Sequence, residues 1–498
     1  MRKPLLRPVM LAGTGSDVGK SVLATALCRI FLQDGYRPAP FKAQNMALNS
    51  FVTPDGREIG RAQATQAEAA GLPPDADMNP VLLKPTSEHR TQVVLHGKPI
   101  GNRDAYDYFR QGPGRDELRT AVGEAFDRLA ARYNPIVIEG AGSISELNLR
   151  ETDLANMPMA RRADACVLLV ADIDRGGVFA SAYGSVMLQT PEDRQRIRGI
   201  IVNKFRGDLR LFQLGRTLLE ETCGVPVLGV VPMFHDIHIE EEDSVELASK
   251  PVRSEQGKVN VAVVRLLHLS NFTDFDALER LADVHVYYAD APADLAGADL
   301  VIIPGTKSTL ADLSHLLRTG MADAILRAHR GGTMVLGICG GYQIMGERVS
   351  DPDGEEGGAG ELPGLGLLPM TTTIGGEKRT RQVAWAFNEG GGVWSPLCEG
   401  GYEIHQGISV FTAAHEPLAR FADGTEDGCI RPGAMGTYVH GLFDNGAFTR
   451  WLLRRIRPER REDATPDART WRQRQYDLLA EHVRRYVDMP ALYDMLRL

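Results

Sequence analysis

The chain of 498 residues lacks several features that mark specialised classes of protein. Its six cysteines include no C-x-x-C pair, which indicates reduced thiols rather than a disulfide framework. No apolar run approaches the roughly 20 residues of a membrane span, and we expect no signal peptide near Met1. A net charge of −9 argues against bulk electrostatic binding to nucleic acid or to an anionic membrane. We therefore expect a cytoplasmic protein with neither of these partners.

What the chain does have is the composition of an ordinary globular protein, with 43% hydrophobic and 24% charged residues. This length suggests more than one core. Apolar strands alternate with helical segments in both halves, which predicts two α/β units, each with a parallel sheet covered on both faces. Residues 250–257 (KPVRSEQG) are the predicted linker. The predicted units are residues 1–250, residues 258–452 and a helical tail, residues 453–498.

One stretch of the second half, residues 336–343 (LGICGGYQ), predicts a strand that turns sharply and holds up Cys339. Gly337 and Gly341 lie two residues to either side, a spacing typical of a nucleophile elbow. A helix beginning near Gly341 would favour the thiolate. The alternative is a structural core cysteine, but a core thiol does not need glycines on both sides.

A thiol nucleophile also requires a base and donors for an oxyanion. His440 ends a strand-like stretch, and it could accept the thiol proton and return it to a leaving amine. The alternative is a histidine with a purely structural role. The turn after residues 300–303 would present the N–H of Gly305, and the N–H of Gly340 would be the second oxyanion donor.

The first half begins with a predicted phosphate-binding loop. Residues 13–21 (GTGSDVGKS) follow a short apolar strand and precede an amphipathic helix, the context that a P-loop requires. One departure is that Thr14 stands where the common pattern has its first glycine. The predicted ATP-binding residues are Thr14, Gly15, Val18, Gly19, Lys20 and Ser21, with Asn203 after a later strand as a reader of the base. Ser21 would also bind Mg²⁺.

Polar side chains follow other strands of the same predicted sheet. Glu139 ends an apolar strand and is predicted to hold Mg²⁺ directly or through water, although it could instead cap a neighbouring helix. Ligands of open α/β sheets bind at such strand ends. The residues predicted to contact an acidic substrate or the transferring phosphoryl group are Lys42, Asn45, Asp153, Asp174 and Arg175. A polar surface loop is the alternative for the segment that begins at Lys42.

Residues 235–243 bring two histidines close to several carboxylates and could suggest a metal site. No further ligands follow at a suitable spacing. We therefore predict a solvated acidic loop at residues 240–243.

Three motifs of the second half, GICGGYQ (337–343), YEIHQG (402–407) and TYVHG (437–441), resemble those of class I glutamine amidotransferase domains, which are flavodoxin-like. The first half resembles the dethiobiotin-synthetase-like ATPases. In this order the chain resembles the cobyric acid synthases of cobalamin (vitamin B12) biosynthesis. The segments that carry this narrower resemblance are KAQNM (42–46), ETDLANM (151–157) and DIDRGGVF (172–179).

The resemblance implies a ligase that uses glutamine, ATP and Mg²⁺. Its implied corrinoid substrate is adenosylcobyrinic acid a,c-diamide, amidated at the b, d, e and g carboxylates. One departure is Leu442, which occupies the position where most class I domains carry a glutamate that orients the histidine. Glu403 is a candidate replacement. The alternatives are a cobyrinic acid a,c-diamide synthase and a non-catalytic P-loop switch of the partition-ATPase type.

Overall fold

The structure is a computed structural model that describes residues 3–86, 90–240, 250–356, 360–459 and 467–498. Of the acidic loop predicted at residues 240–243, only Glu240 lies within the described residues. In these described parts of the chain, no helix combines the length and the apolar character that crossing a membrane would require.

The first half contains twelve strands and eight helices among the described residues. The strands are β1 (Val9–Gly13), β2 (Ala39–Phe41), β3 (Gln44–Met46), β4 (Ser50–Val52), β5 (Glu58–Gly60), β6 (Val81–Pro85), β7 (Arg90–Leu95), β8 (Lys98–Asp104), β9 (Ile136–Glu139), β10 (Cys166–Asp172), β11 (Ile197–Phe205) and β12 (Val227–Pro232). The helices are α1 (Lys20–Gln33), α2 (Arg61–Ala69), α3 (Ala105–Phe109), α4 (Pro113–Ala130), α5 (Met157–Arg162), α6 (Val178–Met187), α7 (Pro191–Arg196) and α8 (Gln213–Cys223).

The first half is built on a six-stranded sheet with the order β12-β11-β10-β1-β9-β2. Every neighbouring pair in this sheet is parallel. The central strand β1 is buried along its whole length, as expected for a strand covered on both faces. Crossover connections place the P-loop, after β1, and Glu139, at the end of β9, at the same edge of the sheet.

The described part of the second half adds sixteen strands and seven helices. The strands are β13 (Val259–Val264), β14 (Val284–Ala289), β15 (Leu300–Ile303), β16 (Met334–Ile338), β17 (Arg348–Asp351), β18 (Gly360–Pro363), β19 (Met370–Thr373), β20 (Arg379–Gly390), β21 (Val393–Trp394), β22 (Cys398–His405), β23 (Ile408–Phe411), β24 (Ala419–Phe421), β25 (Glu426–Asp427), β26 (Cys429–Arg431), β27 (Ala434–Thr437) and β28 (Val439–His440). The helices are α9 (Asp276–Glu279), α10 (Thr309–Thr319), α11 (Met321–Arg330), α12 (Gly340–Ile344), α13 (Gly446–Ile456), α14 (Ala468–Tyr486) and α15 (Met489–Leu496).

A second six-stranded sheet, with the order β14-β13-β15-β16-β27-β26, forms the centre of this half. Its pairs are parallel except for β26 with β27. The predicted fold class, two α/β units with parallel sheets, is therefore confirmed. Smaller mixed and antiparallel sheets, such as β3-β6-β7-β8 and β25-β24-β20-β22-β28, were not predicted from the sequence.

The helical tail packs on the first half, far from its neighbours in sequence. Tyr476, Leu479 and Val483 of α14 share one buried cluster with Leu23 and Leu27 of α1. Arg29 of α1 also forms an ion pair of 2.7 Å with Asp477. The chain thus returns from the second half to cover one face of the first sheet.

Candidate active site

Cys339 occupies a strained turn between β16 and α12. Its backbone has φ 53° and ψ −112°, a combination that is costly for any residue with a side chain. Neighbouring glycines let the chain pack this tightly: a Cβ on Gly341 would lie 1.9 Å from the carbonyl oxygen of Ile303. A Cβ on Gly337 would lie 2.7 Å from Cα of Tyr342. This is the geometry of a nucleophile elbow, with the cysteine lifted above the carboxyl edge of the sheet.

His440 and Asp274 form a buried hydrogen-bonded pair beside this turn. Nδ1 of His440 lies 2.7 Å from Oδ2 of Asp274, and the backbone N–H of Gly441 donates to Oδ1 at 3.0 Å. The exposed fractions are 1% for His440, 8% for Asp274 and 7% for Cys339. The ring of Tyr402 stacks on the imidazole at 5.2 Å between centroids. The Asp274 carboxylate and the ring of Tyr402 thus restrict the rotation of the imidazole.

The charge on this histidine follows from its neighbours. Burial lowers the pKa of His440, but the Asp274 carboxylate and the Cys339 thiol together raise that pKa to about 10. The protonated imidazolium is therefore the favoured form at neutral pH. Such a group stabilises a thiolate and can return a proton to a leaving amine.

The residue that orients the histidine is not the one suggested from the sequence. Glu403 forms an ion pair with Arg381 and lies 3.7 Å from Nε2 of His405, so its carboxylate is engaged elsewhere. Asp274 takes this role from a turn that follows β13, 166 residues before the histidine in sequence. Its position past the first strand of the second sheet was a usable signal, because the ends of parallel strands share one edge.

The two glycines predicted as oxyanion donors lie beside the thiol and the imidazole. A Cβ on Gly340 would lie 2.5 Å from Cγ2 of Thr306, so the elbow packs directly on the turn after β15. A Cβ on Gly305 would lie 3.3 Å from Cε1 of His440. Both backbones are thus close enough to the reacting groups for the predicted role, which stays a prediction.

The phosphate-binding loop connects β1 to α1, as its sequence context predicted. Lys20 donates hydrogen bonds of 2.9 Å to the carbonyl oxygens of Gly15 and Gly142. Gly19 has φ 90°, and a Cβ there would lie 2.2 Å from Nδ2 of Asn203. The same amide donates to the carbonyl oxygen of Val18 at 2.9 Å. Asn203 therefore stabilises the loop in this structure. The sequence predicted that Asn203 contacts the base of the nucleotide, and it did not predict this contact with the loop.

Glu139 accepts hydrogen bonds from several polar side chains near the phosphate-binding loop. Its Oε1 accepts hydrogen bonds of 2.8 Å from the Ser21 hydroxyl and from the Lys42 ammonium. Gln66 donates to Oε2 at 2.6 Å. Burial opposes ionisation, but Lys42 and the hydrogen bonds from Lys42, Gln66 and Ser21 lower the pKa of Glu139. The carboxylate is therefore charged, and with the Ser21 hydroxyl it supplies the hard oxygen ligands that Mg²⁺ requires. The residues fit a magnesium ion.

A cavity of about 1330 Å³ opens beside this acid and is lined by both halves of the chain. The predicted residues that line it are Gly19, Lys20, Ser21, Lys42, Asn45, Glu139, Asp153 and Asn203. The second half contributes Phe272, Asp276 and Arg280, and the tail contributes Trp471. Thr14 and Gly15 line a neighbouring cavity of about 550 Å³, which shares Ser16, Gly142 and Ser143 with the first.

Comparisons with known proteins agree with this arrangement. Residues 9–246 match the family described as the CobQ/CobB/MinD/ParA nucleotide binding domain, and residues 260–448 match the CobB/CobQ-like glutamine amidotransferase domain. A protein named cobyric acid synthase from Phocaeicola vulgatus is 61% identical over 497 residues, covering 99% of each chain. One of the same name from Salmonella agona is 47% identical over 508 residues, again covering 99% of each chain. This chain belongs to the cobyric acid synthase family.

Two residues predicted to bind the substrate of a cobyric acid synthase face the cavity but also have structural partners. Oδ1 of Asp153 accepts hydrogen bonds from the backbone N–H groups of Ala155 at 2.7 Å and Asn156 at 3.1 Å. Nδ2 of Asn45 donates to Gln63 at 3.0 Å. Each of these side chains is therefore held in a fixed orientation at the cavity wall.

Asp174 and Arg175 lie elsewhere. Among the described residues that line the large cavity, neither is present. Arg175 forms an ion pair of 2.7 Å with Asp17, and Asp174 pairs with Arg206. Their partners, Asp17 and Arg206, do line that cavity, but Asp174 and Arg175 do not, so a substrate contact through either residue stays a prediction.

The solvated acidic loop was a wrong prediction at Glu240, the one residue of that segment that the structure describes. Its side chain is 7% exposed and forms an ion pair with Arg61, which also stacks over the ring of Phe51. Burial raises the pKa of Glu240, but the charges of Arg61 and Arg472 lower that pKa to about 2. The sequence pattern did not reveal these arginines, because Arg472 lies in the distant tail.

Proposed function

We propose that the chain is a cobyric acid synthase that carries out a glutamine- and ATP-dependent amidation of corrinoid carboxylates. The observation that carries the proposal is that one chain holds a Cys339–His440–Asp274 constellation and a P-loop with an acidic partner, and that both halves line the large cavity beside the P-loop. The family and the two matched regions support this pairing of activities.

In the glutaminase half-reaction, Sγ of Cys339 attacks the carboxamide carbon of glutamine. The backbone N–H groups of Gly340 and Gly305 would stabilise the oxyanion. His440 donates its proton to the departing ammonia, and water then hydrolyses the thioester to release glutamate. Asp274 holds Nδ1 of the imidazole, which would leave Nε2 to exchange protons with the thiol and the leaving amine. Nε2 is buried and has no hydrogen-bond acceptor among the residues that the structure describes, which suits an atom that transfers protons.

In the synthetase half-reaction, a substrate carboxylate attacks the terminal phosphorus of ATP and forms an acyl phosphate, with release of ADP. Lys20 and Lys42 would neutralise the charge of the transferring group. Ser21 would ligate Mg²⁺ and Glu139 would hold it directly or through water; the ion would supply charge stabilisation at the phosphates. Ammonia then attacks the acyl carbon, forming the amide and releasing phosphate.

The cavity fits the proposed class of substrate. Its volume of about 1330 Å³ exceeds the roughly 300–1,000 Å³ of most small-molecule pockets, which suits a corrin macrocycle. Basic side chains suited to carboxylates line it: Lys42, Arg115, Arg150, Arg161, Arg206 and Arg280. We propose adenosylcobyrinic acid a,c-diamide as the substrate and its b, d, e and g carboxylates as the amidated groups.

We further propose that residues 1–250 form the synthetase unit, residues 258–452 the amidotransferase unit and residues 453–498 the tail, in a protein that acts in the cytoplasm. The separate central sheets support the two-unit division. Glutamine, ATP and the corrinoid would be its small-molecule partners.

The test is mass spectrometry of the product formed from a corrin diamide, ATP and glutamine. Four added amides would support the proposal, whereas no amidation of the diamide, together with addition of two amides to the unamidated corrinoid, would favour the a,c-diamide synthase. Cys339→Ala should abolish use of glutamine and leave use of free ammonia intact. Lys20→Ala should remove amidation with either nitrogen source. A folded Lys20→Ala protein that still forms amides would refute the P-loop assignment.

A further inference from the structure

Strand β4 of the first half packs against strand β22 of the second half. β4 pairs with β5 in a two-stranded sheet, and Val52 at its end forms a buried cluster with Tyr402 and Ile404 of β22. The ring of Phe51 lies edge-on to the ring of Tyr402, with centroids 4.9 Å apart. Gln382 of β20 donates to the carbonyl oxygen of Val52 at 2.8 Å. The nucleotide-binding half thus covers one side of β22 with side chains of β4.

The residues that this strand contacts are the ones that surround the candidate nucleophile and base. Tyr402 stacks on His440 with an angle of 16° between ring planes. The carbonyl oxygen of Ile404 accepts a hydrogen bond of 3.5 Å from Sγ of Cys339. A displacement of β4 would therefore shift Tyr402 and Ile404, which contact the imidazole and the thiol directly.

A reciprocal pair of hydrogen bonds fixes this contact. The backbone N–H of Ser50 donates to Oδ1 of Asn271 at 3.1 Å, and the backbone N–H of Phe272 donates to Oδ1 of Asn49 at 3.2 Å. Each asparagine thus accepts from the backbone of the other half. Asn49 is 1% exposed and Asn271 is 3% exposed, so loss of either acceptor would leave a buried N–H without its partner in this pair.

The clamped turn is the one that presents Asp274. Asn271 has left-handed backbone angles, φ 54° and ψ 41°, and its carbonyl oxygen accepts a hydrogen bond of 3.0 Å from the N–H of Asp274. Its Nδ2 donates to the hydroxyl of Tyr402 at 3.2 Å and lies 3.5 Å from Nδ1 of His440. The asparagine therefore touches both restraints on the imidazole, and a non-glycine residue in this conformation needs surrounding contacts to hold it.

The same segment begins at the nucleotide site. Lys42 lies seven residues before Asn49 in the sequence, and its ammonium pairs with Glu139 at 2.8 Å. The segment at residues 42–52 is thus held at the nucleotide site at one end and at β22 at the other. A displacement at one end of such a segment moves the other end, because packed interiors deform in discrete steps rather than continuously.

We propose that Asn49 is a positioning residue for glutamine hydrolysis: by accepting the backbone N–H of Phe272 it holds the turn at residues 271–274, and with it Asp274, against His440, so that the thiol and the imidazole are aligned only when the nucleotide-binding half packs against this turn. The inference rests on the proposed function, because it concerns the glutaminase half-reaction. It also makes the segment 42–52 a physical connection between the two reaction sites.

The experiment uses the full chain carrying Asn49→Ala, with Asn388→Ala as the matched control. Asn388 is a buried asparagine of the second half, 3% exposed, whose Oδ1 accepts a backbone N–H bond from Gly390 at 2.9 Å and which contacts none of the groups described above. The measurements are kcat and KM for glutamine from glutamate release, ammonia-dependent amidation, and the rate at which a diazo ketone analogue of glutamine alkylates Cys339.

We expect Asn49→Ala to lower kcat for glutamine and the alkylation rate by at least about tenfold, with KM and ammonia-dependent amidation changed by less than about threefold. Asn388→Ala should leave all four quantities within about threefold of wild type. An unchanged kcat, or a parallel loss of the ammonia-dependent reaction, would overturn the inference. A wild-type protein that releases no glutamate would overturn the proposed function instead.

Asn271→Gly serves as the second variant if Asn49→Ala does not fold. Glycine tolerates the left-handed backbone, so this change removes the side-chain contacts without adding strain. The same split between the glutamine-dependent and ammonia-dependent reactions is expected, and its absence would count equally against the inference.

Discussion

Replacing Asp274 by asparagine isolates the charge that acts on His440. The change keeps the side-chain shape but removes a charge-assisted hydrogen bond of 2.7 Å between buried groups. Such a bond contributes roughly 1.5–3 kcal/mol, which corresponds to roughly 10- to 100-fold in rate. An amide can also turn its NH₂ group toward Nδ1 and favour the wrong tautomer, which extends the loss toward ~10⁴-fold. We therefore expect glutamate release to fall by at least about tenfold, and by up to ~10⁴-fold if the amide also favours the wrong tautomer.

The pH dependence supplies an independent readout. The pKa of His440 is raised to about 10, so the stabilisation from its charged form is complete below the ordinary value of 6.5 and is lost as the pH rises through about 10. In Asp274→Asn the main raising influence is gone, and burial lowers the pKa. The rate of Cys339 alkylation by iodoacetamide at neutral pH should therefore fall, because the imidazolium that stabilises the thiolate is less populated.

Ammonia-dependent amidation should be unaffected in the same preparation. Asp299→Asn is the matched control, because Asp299 accepts the N–H of Asn260 at 2.8 Å and precedes β15, at the opposite edge of the sheet from Cys339. If Asp274→Asn hydrolysed glutamine at the wild-type rate with an unchanged alkylation profile, the assignment of Asp274 as the orienting group would be refuted.

Two further predictions concern Glu139 in the synthetase site and Glu240, the buried carboxylate that pairs with Arg61 and Arg472. Glu139→Gln should lower amidation with both glutamine and ammonia by about 100-fold or more, because it removes the charge that meets Ser21 and Lys42; equal activity in steady-state assays would contradict the assignment. Glu240→Gln should lower the free energy of unfolding at neutral pH by on the order of 3 kcal/mol, because the pKa of Glu240 is lowered to about 2 from the ordinary 4.5. That contribution is present above pH 4.5 and is lost as the pH falls toward about 2, so the gap in urea midpoints should narrow on acidification. The exposed pair of Arg420 and Glu426, 2.8 Å apart, is the control: Glu426→Gln should change stability by less than about 1 kcal/mol, and an equal loss there would refute the role of burial.

The main features of the fold were predictable because they follow from local patterns. Continuous apolar strands such as β1 and β10 predicted parallel sheets covered on both faces, and glycines around Cys339 predicted the elbow. Lys20 and Ser21 were placed by a motif with a defined strand and helix on either side.

What the sequence did not reveal depends on contacts between distant segments. Asp274 lies in a turn with no motif of its own, and only the shared edge of the second sheet brings it to His440. Glu240 looked solvated because its partners, Arg61 and Arg472, come from other parts of the chain. The contact of Asn49 with Phe272 spans 223 residues and has no local signature.

The most direct test of the account follows the nitrogen itself. Wild-type protein is given ATP, the corrin diamide and glutamine labelled with the heavy nitrogen isotope at its amide, in competition with unlabelled ammonium, and the product is analysed by mass spectrometry. We expect heavy nitrogen in the newly formed amides of the wild-type product and only light nitrogen in the product of Cys339→Ala. Wild-type amides that carry only light nitrogen would contradict the transfer of ammonia from Cys339 to the nucleotide site.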